Sequence, residues 1–283
     1  MAAALTTFVP SGQDPDQDFT IHNLPLGVGQ YRKDGDWAPA IYTRIGDEAV
    51  DLRELSASGL LSGPILSSKV GAEALGKGKL NAFAALGPSA WAELRQTLQR
   101  LLSSQEGVLR YAKRNCPPRF SSLSLSLSLP FADRMLSLSL SLERRDDPAL
   151  RVKRILCKAD DVAMVMPMDI GDYTDFYSSK EHASNVGTMF GRDPPLMSNW
   201  YHLPVGYHGR SSSVVVSGTP IKRPRGLVLP KGQATPTFSE SRVLDYELEM
   251  GFFVGPGNDL GSPISCDRAR DHIFGLVLVN DWR

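Results

Sequence analysis

Residues 243–250 read VLDYELEM and form the strongest local pattern in the chain. Charged and apolar side chains alternate here with a period of two, which is the period of a β-strand. In a strand, Asp245, Glu247 and Glu249 would share one face and apolar side chains would cover the other. The pattern predicts an amphipathic strand in a mainly β protein of the α+β class.

The acidic face of this strand has two explanations. An amphipathic strand can simply expose its charges to water, since alternating charge is common. Neighbouring like charges on one face destabilise a strand, however, and a bound cation would remove that repulsion. Carboxylates without histidine or thiolate ligands favour a hard ion, calcium or magnesium, over zinc or copper.

A further carboxylate follows the apolar run of residues 273–279. Asn280, Asp281 and Trp282 come directly after it, so Asp281 is predicted to lie at the end of a buried strand. A carboxylate without a partner is costly in such a place, and a metal ion would satisfy it.

Residues 172–182, DYTDFYSSKEH, place an acid, a phenol and an imidazole close together in sequence. Ser178 and Glu181 have the spacing of a capping box, which predicts a helix that begins just after Tyr177 and carries His182 in its first turn. Asp175 and Tyr177 can share one face of the extended stretch before it. A lone histidine is more often a surface residue, but a neutral imidazole, with a reference pKa of about 6.5, can accept a proton from water.

Residues 203–210, LPVGYHGR, form a third unusual segment. Gly206 and Gly209 permit close approach of the backbone and display Tyr207, His208 and Arg210 nearby. The alternative is an ordinary loop that contains glycine.

The rest of the chain divides into a small β-rich unit and a second, mostly β domain, with predicted bounds of 1–160 and 161–283. Residues 40–42 and 49–52 flank Gly46 and Asp47 and predict a hairpin. Apolar residues recur at helical spacing from Trp91 to Leu102 and predict a packing helix. The short segments 213–217 and 251–255 give the second domain its β character.

Composition excludes several classes of function. The 283 residues hold 31 Lys+Arg and 31 Asp+Glu, so the chain has no electrostatic footprint for nucleic acid or an anionic membrane, whereas a small ligand remains possible. The start lacks the pattern of a signal peptide and no long apolar run follows, which predicts a cytoplasmic protein. Three widely spaced cysteines argue against disulfides and structural zinc.

Residues 121–142 contain two runs of strictly alternating Ser and Leu. The period matches a half-buried strand, but a tandem TC dinucleotide repeat also translates into alternating Ser and Leu. We interpret the segment as a low-complexity insertion, derived most simply from non-coding sequence retained in the reading frame, and expect it to be poorly ordered.

Taken together, these segments resemble the fumarylacetoacetase family. The resemblance extends from about residue 166 to residue 282, and more loosely over the amino-terminal part. It is carried by residues 170–179, 182–183, 185–187, 199–200, 203–210, 216–219, 244–250, 254–258, 272–275 and 280–282. It implies a small SH3-like barrel, followed by an incomplete mixed-β-sheet roll of the family's catalytic type.

The resemblance also implies roles for particular residues. The metal ligands would be Asp175, Glu247, Glu249 and Asp281, the base that activates water would be His182, and the substrate contacts would be Tyr177, Tyr207 and Arg192. The loop before Arg192 is one residue shorter than in the family. The implied ion is Ca²⁺ or Mg²⁺, and the implied assembly is a homodimer.

The implied reaction is hydrolysis of a carbon–carbon bond in 4-fumarylacetoacetate, which releases fumarate and acetoacetate at the end of tyrosine and phenylalanine catabolism. The family continues beyond the position of Arg283 into groups that stabilise the oxyanion and orient the histidine. We therefore expect the chain as written to be inactive. A truncated hydrolase, a non-catalytic metal-binding fragment and the product of a faulty gene model remain the alternatives.

Overall fold

The computed structural model describes residues 5–32, 38–106, 108–110 and 155–283. The Ser-Leu segment 121–142, predicted to be poorly ordered, lies outside the described residues. Backbone contacts divide the chain into two compact units. Residues 1–167 and 220–283 form the first unit, and residues 168–219 form the second.

The first unit contains a five-stranded antiparallel sheet in the order β4-β3-β2-β1-β5. Its strands are β1 (Leu26–Tyr31), β2 (Ala40–Ile45), β3 (Glu48–Asp51), β4 (Leu156–Lys158) and β5 (Val162–Val165). The predicted hairpin is confirmed, since Gly46 joins β2 to β3 with a φ of 53°. A Cβ at Gly46 would lie 2.5 Å from the backbone nitrogen of Gly12, so the turn requires glycine.

Helices pack beside this sheet and supply most of the buried core. They are α1 (Leu52–Ala57), α2 (Lys69–Gly76), α3 (Asn81–Ala84) and α4 (Pro88–Leu102). The predicted packing helix is confirmed as α4, which begins with Pro88 after Gly87 and buries Leu94, Leu98 and Leu101. The largest fully buried side chains all lie between residues 41 and 109.

The first unit also contains two separate antiparallel hairpins from the carboxyl-terminal part of the chain. These pair β8 (Arg225–Val228) with β9 (Thr237–Glu240), and β10 (Tyr246–Val254) with β11 (Ile273–Trp282). The aromatic rings of Phe274 and Trp91 meet edge to face with centroids 5.2 Å apart, which ties β11 to α4.

The second unit is small. It consists of β6 (Thr174–Phe176), α5 (Lys180–Met189) and β7 (Gly206–His208), with β6 and β7 antiparallel. Short 3₁₀ turns at Ser198–Tyr201 and Ser211–Ser213 complete it. Residues 214–216 form no strand, although their β-branched run suggested one, because the 3₁₀ turn ends at Ser213 and another turn follows at Gly218.

The α+β fold class is confirmed, with the amino-terminal sheet curled into half a barrel. In the part of the chain that the structure describes, no helix has both the length and the apolar character needed to cross a membrane.

Candidate functional site

The antiparallel pairing of β6 and β7 in the second unit places Asp175 directly opposite Tyr207. The Tyr207 hydroxyl donates to Oδ2 of Asp175 at 2.7 Å, and the Tyr173 hydroxyl donates to the same oxygen at 3.4 Å. Asp175 is half-buried. Two predicted site residues, the acid and one of the tyrosines, are therefore brought together.

Glycines allow this close pairing. A Cβ at Gly206 would lie 2.3 Å from the carbonyl oxygen of Asp175. At Gly209 it would lie 2.2 Å from Cδ1 of Tyr173. Both distances are far below normal contact, so the close approach expected of these glycines is present.

Helix α5 carries His182 in its first turn, as predicted, but its cap differs from the prediction. Ser179 is the N-cap, and its hydroxyl oxygen accepts from the backbone N–H of His182 at 3.3 Å. The capping box based on Ser178 is therefore wrong by one residue. The spacing of Ser178 and Glu181 matched the motif, but the helix begins one residue later, at Lys180.

Tyr177 lies in the short connection between β6 and α5 and is half-buried. Its backbone carbonyl accepts from the indole nitrogen of Trp200 at 3.0 Å, and its N–H donates to the carbonyl of Val205 at 3.4 Å. Asp175, Tyr177 and His182 thus span one strand-to-helix junction. Their convergence on a substrate stays a prediction.

Arg192 follows the end of α5 and is exposed. Gly191 precedes it with a φ of 68°, and the backbone N–H of Arg192 donates to the carbonyl of Gly187 at 2.9 Å. The backbone of Arg192 is therefore held in the turn that closes α5.

The other predicted ligands lie on the β10–β11 hairpin of the first unit. Its register pairs Glu247 with Asp281, and Glu249 is diagonal to Asp281. Oxygen atoms of Glu249 and Asp281 lie within 4.8 Å of each other, and both residues are half-buried. This pair is a possible acidic metal site, because hard divalent cations prefer clustered carboxylate oxygens.

Glu247 forms an ion pair with the guanidinium of Arg283. A protein cation therefore neutralises part of the carboxylate face, so a metal ion is not needed to explain all of its charge. Asp245 lies before β10 and is exposed, and its Oδ1 accepts from the N–H of Tyr246 at 2.9 Å.

The prediction that Asp281 ends a buried strand is wrong in one respect. Asp281 itself is half-buried, but the apolar side chains of β11 are largely exposed, as at Leu276 and Leu278. The apolar run predicted the strand correctly, but burial also requires a neighbouring layer, and the structure places none over this face in the described part of the chain.

Sequence reasoning missed Tyr173, Asp172 and Trp200. His208 Nε2 lies 3.1 Å from Oδ1 of Asp172, at one end of the β6–β7 strand pair. Tyr173 could have been found from the strand period, since residues 173, 175 and 177 fall on one face. The partners of Asp172 and Trp200 depend on tertiary contacts with residues far along the chain.

Comparisons with known proteins define the class of protein. Residues 22–127 match the model described as fumarylacetoacetase N-terminal, and residues 172–283 match the model described as fumarylacetoacetate (FAA) hydrolase C-terminal. The chain therefore matches both the amino-terminal and the carboxyl-terminal family model.

Similarity to curated proteins narrows this class. The chain is 45% identical over 277 residues to the fumarylacetoacetase of Bos taurus and 44% identical to that of Homo sapiens, in each case across 98% of this chain and 56% of the relative. It is 41% identical over 281 residues to the fumarylacetoacetase of Arabidopsis thaliana, across 99% of this chain and 56% of the relative. The chain belongs to the fumarylacetoacetase family. It spans about half the length of the curated relatives that it matches.

Membership of the family implies a divalent metal. The chemistry of the residues fits such an ion, because Glu249 and Asp281 offer carboxylate oxygens close together on a half-buried face. Asp175, in the second unit, offers another half-buried carboxylate, oriented by two phenol donors.

Proposed function

We propose that the chain carries the metal-binding and water-activating part of a hydrolase for 4-fumarylacetoacetate. The observation that supports this most directly is the β10–β11 register, which sets Glu249 beside Asp281 with oxygens within 4.8 Å. Identity of 41–45% to fumarylacetoacetases across nearly the whole chain supports the proposed substrate class.

The metal site is proposed to combine four carboxylates: Asp175, Glu247, Glu249 and Asp281. The ion is Ca²⁺ or Mg²⁺, since the ligands are all oxygens. When bound, it would polarise a carbonyl oxygen of the substrate and neutralise developing negative charge. Glu247 would exchange its ion pair with Arg283 for the metal.

His182 is proposed as the base that takes a proton from water. Its backbone is held by the Ser179 cap in the first turn of α5, and its side chain is half-buried. The neutral form of the imidazole can accept that proton as the water oxygen attacks the carbonyl carbon.

Tyr177, Tyr207 and Arg192 are proposed to contact the substrate. The guanidinium of Arg192 suits a carboxylate of the substrate, and the phenols can donate to its oxygens. The water oxygen bonds to the carbonyl carbon, the carbon–carbon bond breaks, and the acetoacetate carbanion takes up a proton. The products are fumarate and acetoacetate.

The pathway, the compartment, the assembly and the domain bounds are also proposed. The reaction would serve tyrosine and phenylalanine catabolism in the cytoplasm, in a homodimer, without nucleic acid or membrane partners. We propose residues 1–160 as the amino-terminal domain, interrupted by segment 121–142, and residues 161–283 as part of the catalytic domain.

The test is to purify the chain, titrate it with calcium by calorimetry, and follow the loss of substrate absorbance with bovine fumarylacetoacetase as positive control. Turnover that His182→Ala abolishes while calcium still binds would support the catalytic role. Calcium binding without turnover would agree with the expected inactivity of the chain as written and would support the metal site alone. Absence of calcium binding would contradict the metal site.

A further inference from the structure

We propose that Tyr173, seated against Gly209, is a positioning residue that sets which oxygen of Asp175 faces the cation. This inference rests on the proposed metal-binding function. All the residues that carry it lie within the second unit, on or beside the β6–β7 strand pair.

The two phenol hydroxyls near Asp175 act on the same oxygen. Tyr207 donates to Oδ2 at 2.7 Å, and Tyr173 donates to Oδ2 at 3.4 Å. A carboxylate oxygen has about two lone-pair sites, so these donors occupy Oδ2 and leave Oδ1 for a cation. The pair of tyrosines thus favours ligation through one oxygen of Asp175.

Tyr173 is itself held by the facing strand. The N–H of Gly209 donates to the carbonyl of Tyr173 at 2.7 Å, and the ring lies directly over Gly209. A Cβ at Gly209 would stand 2.2 Å from Cδ1 and 2.4 Å from Cε1 of Tyr173. An alanine at this position would therefore push the ring away and take its hydroxyl from Asp175.

Tyr207 and Tyr173 differ in exposure, and therefore in the roles open to them besides hydrogen bonding to Asp175. Tyr207 is exposed and proposed to contact the substrate, whereas Tyr173 is half-buried against Gly209. The role left for Tyr173 is to orient the carboxylate. Residues that orient a metal ligand typically contribute about 10-fold to 100-fold in metal affinity. The 3.4 Å distance indicates a weak hydrogen bond, so we expect about 10-fold.

The experiment is a calcium titration of the full chain with two variants and two matched controls. Tyr173→Phe removes only the hydroxyl, and Gly209→Ala displaces the ring. Tyr201→Phe is the tyrosine control, because its hydroxyl has no hydrogen bond to the residues that the structure describes. Gly171→Ala is the glycine control, because a Cβ there meets nothing within 4 Å.

We expect calcium to bind about 10-fold more weakly to Tyr173→Phe and Gly209→Ala, and within about 2-fold of wild type to both controls. In protein with ¹³C-labelled tyrosine, calcium should shift the ring signals of Tyr173 and Tyr207 but not that of Tyr201. The thermal midpoint of Tyr173→Phe without calcium should match that of wild type, which separates positioning from stability.

Equal calcium affinity in Tyr173→Phe and wild type would overturn this inference and leave the metal-binding proposal intact. Failure of the wild-type chain to bind calcium would overturn both, and the wild-type titration identifies that case by itself. If Gly209→Ala does not fold, Tyr173→Phe decides, since it preserves the ring that packs on Gly209.

Discussion

The amino-terminal sheet and the β10–β11 hairpin are both antiparallel β-structures that carry apolar side chains, but they differ in what covers them. In the sheet, Ile41 and Ile45 are fully buried under the helices. In the hairpin, Leu248 is 78% exposed and Leu278 is 73% exposed. The carboxylates on the opposite face of the hairpin are half-buried.

This difference shows that alternation predicts the two faces of a strand but not which face is covered. Burial of an apolar face needs a second layer, and α1 to α4 provide it for the sheet. The apolar side chains of the hairpin form a row along both strands: Tyr246, Leu248, Met250, Phe252, Val254, Ile273, Leu276, Leu278 and Trp282. An apolar surface of this extent is characteristic of a contact surface.

The largest expected effect is a difference in the free energy of unfolding between two phenylalanine-to-alanine variants. Phe83 is fully buried, whereas Phe252 is 53% exposed. Phe83→Ala should lower the free energy of unfolding by about 3–5 kcal/mol, because it leaves a cavity in the core. Phe252→Ala should cost less than about 1 kcal/mol, since about half of its surface is already exposed to water. Urea denaturation followed by circular dichroism measures both.

The contrast between the covered sheet and the uncovered hairpin would be contradicted if Phe252→Ala lowered the free energy of unfolding as much as Phe83→Ala. That result would mean that the apolar face of the hairpin is covered in solution. Repeating the measurement over a range of protein concentrations would show whether a second copy covers it.

The acidic face of the hairpin provides the next effect. Glu249→Gln or Asp281→Asn should weaken calcium binding at least about 10-fold, because each removes a charged ligand oxygen from the proposed site. Asp245→Asn is the matched control: Asp245 is exposed and lies before β10, so its change should alter affinity less than about 2-fold. Equal losses in all three variants would point to general electrostatic attraction instead of a defined site.

A smaller effect concerns the junction between β3 and α1 in the first unit. Asp51 is buried and caps α1, where its Oδ1 accepts from the N–H groups of Arg53 and Glu54 at 2.9 and 3.1 Å. Asp51→Ala should cost about 1 kcal/mol of unfolding free energy through the lost cap. Asp51→Asn should keep most of that stability, since asparagine also caps well. Chemical denaturation at pH 7 compares the three proteins.

The smallest expected effect is the pH dependence of the stability that Asp51 contributes. Burial raises the pKa of Asp51 above its ordinary value of 3.8, although the N–H groups of Glu54 and Arg53 oppose the shift. A raised pKa in the folded state means that the stability from protonated Asp51 is fully present below pH 3.8 and lost as pH rises through the folded-state pKa. Wild type should therefore lose stability relative to Asp51→Asn over that interval.

Urea midpoints of the two proteins at a series of pH values from about 4 to 7 test this, because other carboxylates titrate alike in both and cancel in the difference. A constant difference across the series, or a wild-type advantage that grows with pH, would contradict the raised pKa. Helix α1 would then be capped without a desolvation cost.

Several elements were predictable because their causes are local. The β2–β3 hairpin follows from Gly46, which tolerates a positive φ. Helix α4 follows from a proline start and apolar residues at helical spacing. Strand β10 follows from strict alternation. The predicted N-cap of α5 was wrong by one residue, because Ser178 and Ser179 offer equivalent caps and sequence spacing does not choose between them.

What the sequence by itself determined is the set of chemical groups and the face on which each lies: the carboxylates of 247 and 249 opposite the apolar row, and the 173–175–177 face of the β6 region. Only the tertiary structure decided the partners. The β10–β11 register aligned Glu247 with Asp281, and the β6–β7 pairing aligned Asp175 with Tyr207. The ring of Tyr173 packs against Gly209. The physical reason is that period and propensity act between near neighbours, whereas register and burial depend on contacts between segments distant in sequence.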